Sequence, residues 1–201
     1  MKKRLAFLTA ALALVCMVQA QPFRFGGNGE FTVMQLTDLH YNGAGWQSDH
    51  IPGMLVRLID SEKPDLVVVT GDLIYAAPGE PLLREICGTI ASTDTPYAVA
   101  WGNHDAEQDI PRAGIGRIVT SYAGTLNTLN ADGELADVVL EIAGKKSPAA
   151  LLYCLDSHDY STVEGIDGYG WFTQDQIRWY RDRSAAYTAA NGGKPLPALA
   201  F

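Results

Sequence analysis

Leu66-Val67-Val68-Val69-Thr70 is an apolar, β-branched run with no polar alternation, and it stops at Gly71-Asp72. A strand with one wet face alternates; a run that does not is buried on both faces, as inside a parallel sheet covered by helices. Two other runs share the design. Phe31 to Thr37 (FTVMQLT) ends at Asp38-Leu39-His40, and Pro96 to Ala100 ends at Trp101-Gly102-Asn103-His104-Asp105. Between the first two, Ile51 to Glu62 carries Met54, Leu55, Leu58 and Ile59 at helical spacing and is closed by Lys63-Pro64. Between the second and third, Pro81 opens a helix with Leu82, Leu83, Ile86 and Ile90 on one side. Strand, helix, strand, helix, strand predicts an α/β fold with right-handed crossovers. Such a fold delivers all three polar strand ends to one edge of the sheet, where α/β proteins place their chemistry.

Further along, the spacing predicts a short helix near Ile110 to Ser121. Asp137 to Ile142 and Ala149 to Leu155 then read as neighbouring strands joined through Gly144-Lys145-Lys146, a hairpin that makes the sheet mixed. Thr173-Gln174-Asp175-Gln176 has capping-box spacing and starts a helix that runs to Asn191-Gly192-Gly193. Leu196 to Phe201 reads as the start of another buried strand, and a native domain seldom stops in mid-strand. The 201 residues, 47% hydrophobic, suit a single core without internal repeats.

The first twenty residues are set apart. Lys2-Lys3-Arg4, the apolar run Leu5 to Val18 and the small Ala20 read as a secretory signal cut before Gln21, too short for a stable membrane anchor. Its loss takes 15 positive charges to 12 against 23 negative, a net charge of −11. That balance argues against a nucleic-acid or anionic-membrane surface. An anionic substrate would need concentrated positive charge, and bound metal supplies it. Cys87 and Cys154 remain and could pair in an oxidising compartment, but one stands on a predicted helix and one on a predicted strand, where free buried thiols are the expectation.

Asp38, His40, Asp72 and Asn103 offer oxygen and imidazole donors without a thiolate, the set that suits first-row divalent or trivalent ions such as Mn, Fe or Zn. An aspartate at the middle strand end, Asp72, can bridge two ions about 3.5–4 Å apart with its two oxygens. His104 would reach a substrate phosphate or leaving oxygen, and Asp105 would orient His104. Each piece alone is commonplace. Together they follow three strands in order, 34 residues apart from Asp38 to Asp72 and 31 from Asp72 to Asn103. His50 reads as a solvated residue at a helix start. His158 reads as a loop residue after a strand, with substrate contact and metal ligation as the alternatives.

Asp38-Leu39-His40, Gly71-Asp72 and Gly102-Asn103-His104-Asp105 resemble the first three motifs of the calcineurin-like metallophosphoesterases. Tyr153-Cys154-Leu155-Asp156-Ser157 with Tyr169-Gly170-Trp171 is similar to the secreted phosphatases related to purple acid phosphatases. The resemblance implies a metallophosphoesterase-like αββα sandwich, with 21–201 as the N-terminal part of the domain. It implies that Asp38 and His40 bind one metal, Asp72 bridges two, Asn103 binds the second, and His104 is the catalytic histidine. The family's later histidines, one in a strand and two in a Gly-His-x-His motif, have no counterpart here, so the resemblance implies a fold and a site incomplete at the C-terminus. Tyr75 stands at the Gly-Asp-x-x-Tyr spacing that supplies an iron-binding tyrosinate in purple acid phosphatases. Those enzymes lack a histidine at the place of His40, so Tyr75 is expected to pack against or line the site.

The expected function is hydrolysis of a phosphate ester, on a small molecule or a phosphoprotein, by a hydroxide activated on two metal ions, in a secreted or periplasmic protein. Two other readings remain open: a truncated or degenerate metallophosphoesterase that binds metal weakly and catalyses little, and a secreted α/β binding module without hydrolysis.

Overall fold

In this computed structural model, residues 23–145 and 148–201 are described. The expected signal segment 1–20 and part of the predicted hairpin turn, Lys146, lie outside them. In chain order the elements are β1 (Phe23–Arg24), β2 (Val33–Leu36), α1 (Trp46–Asp49), α2 (Ile51–Glu62), β3 (Leu66–Thr70) and α3 (Gly79–Ala91). They continue with β4 (Tyr97–Ala100), α4 (Asn103–Ala106), α5 (Arg112–Thr120), β5 (Val138–Ala143), β6 (Pro148–Cys154), α6 (Gln174–Ala190) and β7 (Ala198–Ala200).

The predicted β-α-β-α-β start is present, with β2 and β4 flanking β3 and all three parallel. The hairpin strands do not extend that sheet. They form a second, four-stranded sheet in the order β1-β5-β6-β7, with β5 and β6 antiparallel and the outer pairs parallel. The expected mixed sheet is this second one, and it stands face to face with the parallel sheet. Leu66, Val68 and Ala98 on one side meet Ile142, Leu152 and Cys154 on the other. The alternate residues Val67, Val69, Tyr97 and Val99 point the other way, onto Leu55 and Ile59 of α2, Leu83, Ile86 and Ile90 of α3, and Ile115, Ile118 and Val119 of α5. A strand between two apolar layers cannot alternate with polar residues, which is why Leu66 to Val69 are all buried. Each such side chain contributes about 1.5–3 kcal/mol by leaving water.

Helix α6 forms the fourth layer, giving an αββα sandwich. Its Tyr180 ring lies 4.9 Å from Tyr153, and the Tyr187 hydroxyl donates to Glu141 at 2.6 Å. The predicted capping box forms, with Thr173 accepting from the Gln176 amide. Among the described residues, no helix is long and apolar enough to cross a membrane.

Two differences concern boundaries and burial. Helix α3 begins at Gly79, two residues before Pro81, with the Gly79 amide donating to Asp109 at 2.7 Å. Strand β7, expected to be buried, is exposed along its length because it is the edge strand beside β6. Cys87 and Cys154 are free and buried, and burial pushes both thiols up to about 12. A thiol reagent at pH 8 should therefore leave both unmodified in the folded protein and label both in denaturant. Rapid native labelling of either would contradict this packing.

Candidate metal and phosphoester site

The three polar strand ends meet at one edge of the parallel sheet, as their order predicts, and the backbone there departs from ordinary strand geometry. Asp38, His40 and Asp72 all have positive φ, at 51°, 44° and 55°. Left-handed backbone is disfavoured for side chains with a Cβ and persists where surrounding contacts impose it. Those contacts run strand to strand beyond the sheet proper. The amides of Asp38, His40 and Tyr41 donate to the carbonyls of Gly71, Asp72 and Leu73, and the Tyr75 amide returns to the Tyr41 carbonyl.

The second and third motifs touch through their glycines. A Cβ on Gly71 would stand 2.5 Å from the Gly102 Cα, and one on Gly102 would stand 2.2 Å from both the amide nitrogen and Oδ1 of Asp72. Two bare backbones can lie this close only where neither carries a side chain.

Asp105 lies beneath this crossing, 1% exposed. Its Oδ1 accepts from the amides of Leu73 at 2.7 Å and Ile74 at 3.3 Å. Its Oδ2 accepts from those of Asp72 at 3.0 Å and Gly102 at 3.3 Å. Burial pushes this carboxyl up to about 6, while the amides of Ile74, Leu73 and Gly102 pull it back down. Four donors aimed at two oxygens are satisfied only by an ionised acceptor. The expectation that Asp105 orients His104 is corrected here. The carboxylate is committed to the backbone of the two neighbouring motifs.

The group that holds His104 is Glu107, whose Oε2 lies 2.5 Å from His104 Nδ1. Sequence reasoning missed it, although the three-residue spacing puts both on one face of a short helix. Glu107 Oε1 also accepts from the Tyr160 hydroxyl at 2.5 Å and from Asn103 Nδ2 at 3.2 Å. The contact with Glu107 raises the imidazole's proton affinity. The Tyr160 hydroxyl first and His104 second hold Glu107 below the usual carboxylate range.

Asp72 sits between the first and third motifs. Its Oδ2 is 3.2 Å from His40 Nε2, and its Oδ1 accepts from the His104 amide at 3.2 Å. Donor atoms of His40, Asp72 and His104 all lie within 4.8 Å of one another, and Asp38 Oδ1 is 4.0 Å from His40 Nε2. The rings of His40 and His104 are 5.3 Å apart, and Tyr75 closes the group at 5.2 Å from His40 and 4.7 Å from His104. Tyr75 thus lines the site, as expected.

Asp38, Asp72 and Asn103 also line a cleft of ≈ 420 Å³ together with His158, Tyr169 and Trp171, with no lysine or arginine in its lining; His40, His104 and Tyr75 stand beside it, on the far side of Asp72. His158 reaches the cleft from the loop after β6, where its Nε2 meets Gln176 Oε1 at 2.8 Å. His50 is exposed at the start of α2, as expected, and its side chain makes no capping hydrogen bond. Arg112, near the His158 loop, is spent on structure. It lies 4.3 Å over the Trp101 ring and pairs with Glu134 and Asp156, tying α5 to the loop that carries His158.

Comparison with known proteins agrees with this architecture. Over 85% of this chain and 68% of the other, the fold matches the crystal structure of a dimetal phosphatase from Danio rerio, with TM-score 0.57 and 15% identity. In sequence the chain is 30% identical over 92% of its length to a protein named probable inactive purple acid phosphatase 29 of Arabidopsis thaliana, covering 57% of that protein. It is 29% identical over 81% of its length to phosphatase DCR2 of Saccharomyces cerevisiae, covering 33% of that protein. The chain thus spans about half the length, or less, of the curated relatives it matches. The model of the calcineurin-like phosphoesterases aligns with residues 31–198 and so takes in all three strand-end motifs. Strand order, crossing glycines and motif sequence all converge with that match: the chain belongs to the calcineurin-like phosphoesterase family.

Proposed function

We propose that this protein is a metal-dependent phosphoesterase that hydrolyses phosphate esters at the edge of its parallel sheet. One observation carries the reading: Asp72 turns one oxygen toward His40 and the other toward the His104 backbone, in a cleft that has carboxylates but no lysine or arginine. A phosphate dianion beside Asp38 and Asp72 would be repelled unless cations stood between them.

The donor set fits such cations. Nitrogen and oxygen ligands without sulfur suit Mn, Fe or Zn, and the donor atoms of His40, Asp72 and His104 already lie within one coordination sphere of each other. Asp38, His40 and Asp72 would hold one ion, and Asp72 with Asn103 the other. When bound, the ions supply positive charge to the phosphoryl oxygens and lower the pKa of coordinated water.

The chain's own residues do the rest. Left-handed turns at Asp38, His40 and Asp72 fix the donors before any ligand arrives. Asp105 locks the Asp72 turn to Gly102, so the spacing between the second and third motifs cannot relax. His104, with Nδ1 engaged by Glu107, keeps Nε2 for a phosphoryl or leaving-group oxygen and can move a proton there. Tyr169 and Trp171 wall one side of the cleft.

Substrates are phosphate esters of small molecules or phosphoproteins, and the acidic chain disfavours nucleic acid. The basic, apolar N-terminal segment supports a secreted or periplasmic location. A second reading, metal binding with little catalysis, is favoured by the word "inactive" in the names of several relatives.

Calorimetry with Mn²⁺ or Zn²⁺ and turnover of a chromogenic phosphate ester test both readings. Binding with turnover, both abolished in Asp72→Asn, is the expected result, and loss of one bridging carboxylate should lower turnover by at least about 100-fold. Binding without turnover would favour the second reading. Unchanged metal content and activity in Asp72→Asn would overturn both.

A further inference from the structure

Glu107 makes three contacts from one carboxylate, and two of them decide which atoms their partners show to the site. Asn103 has one acceptor and one two-proton donor on its side chain, and only the carbonyl oxygen can ligate a cation. Because Asn103 Nδ2 donates to Glu107 Oε1, Oδ1 is left for the cleft. His104 can carry its neutral proton on either ring nitrogen. Because Nδ1 is against Glu107 Oε2, the proton belongs there and Nε2 keeps its lone pair. Tyr160, from the loop beyond β6, donates its hydroxyl to the same Oε1 and stacks its ring on Tyr169 at 5.6 Å. One carboxylate thus connects the His104 ring, the Asn103 amide and the aromatic wall of the cleft.

We propose that Glu107 is the positioning residue of this site: by accepting from His104 Nδ1 and Asn103 Nδ2 it leaves His104 Nε2 free on the side of His40 and Asp72 and turns Asn103 Oδ1 to the cleft. Glu107 touches neither substrate nor ion in this role. The cleft-facing part of the role rests on the phosphoesterase reading above; the tautomer of His104 does not.

The role of Asp105 is separate. Asp105 braces the backbone of the second and third motifs, whereas Glu107 sets the donor atoms on the side chains. Glu107 is the exposed C-cap residue just past α4, so its removal should leave the fold intact, as a circular-dichroism melt within a few degrees of wild type would verify.

The test uses the metal-free chain labelled with ¹⁵N, at a pH where imidazole is neutral. Ring-nitrogen spectra should show His104 protonated at Nδ1 in the wild type. In Glu107→Ala that signature should be lost and Nε2–H should dominate, as in a free histidine. Glu107→Gln, whose carbonyl can still accept from Nδ1–H, should retain it. As a second readout, Mn²⁺ affinity measured by calorimetry should fall about 10–100-fold in Glu107→Ala. An Nε2–H tautomer in the wild type, or a His104 signature unchanged by Glu107→Ala, would overturn the proposal. If the wild type binds no Mn²⁺ while the tautomer switches as expected, the phosphoesterase reading fails and the orienting role of Glu107 toward His104 stands.

Discussion

Asp105→Asn is expected to cost about 2–6 kcal/mol of folding stability. The carboxylate accepts four amide protons on two oxygens. An asparagine in its place has one oxygen and one amino group, so whichever way it turns, two donors face a donor. Each buried amide left without an acceptor costs about 1–3 kcal/mol, which sets the range. In urea the midpoint should fall with an unchanged slope, since the folded and unfolded surfaces are nearly the same. Asp105→Ala frees all four amides and should be worse. His104 contacts Glu107 rather than Asp105, so its Nδ1–H signature should survive in whatever Asp105→Asn protein remains folded. An unchanged urea midpoint would mean that the amides have other acceptors and that Asp105 does not brace the turn.

Gly102→Ala tests the same crossing from the opposite side. Its Cβ would be placed 2.2 Å from two atoms of Asp72, the backbone nitrogen and the Oδ1 that accepts from the His104 amide. Overpacking usually costs about 1–3 kcal/mol, and a clash with backbone belongs at the top of that range or above it. The only relief is to move the two motifs apart, which separates Asp72 from Asn103. Stability and Mn²⁺ affinity should therefore fall together. Gly71→Ala should behave alike, since it adds a Cβ at φ +86° to a 2.5 Å contact with the Gly102 backbone. Normal stability and normal Mn²⁺ affinity in Gly102→Ala would show that the crossing is looser than the structure has it.

Much of the first sheet was legible before any coordinates. The uninterrupted Leu66 to Val69 run can only be buried on both faces, and the two helical spacings around it leave a parallel crossover as the connection. From there the order of polar strand ends puts Asp38, His40, Asp72, Asn103 and His104 at one edge. The second half of the chain was less legible, because a hairpin reads the same whether it extends one sheet or founds a second. What separates those outcomes is which apolar faces meet. Leu66, Val68 and Ala98 against Ile142, Leu152 and Cys154 is a contact between residues 44 to 88 positions apart, which no local periodicity encodes.

The site divides along the same line. Residue types and spacing determined which atoms could bind a cation, since imidazole, amide and carboxylate chemistry is intrinsic to the side chain. Which carboxylate serves which partner was decided only by tertiary structure. Asp105 is adjacent to His104 in sequence, yet the turn of α4 directs it inward onto four amides of the crossing motifs. Glu107, three residues from His104 and one helical turn away, is left beside the ring. Adjacent residues on a helix point about 100° apart, whereas residues three apart share a face. Proximity along the chain is therefore a poor guide to contact at this site, and the geometry of one short helix assigns the two acids their separate tasks.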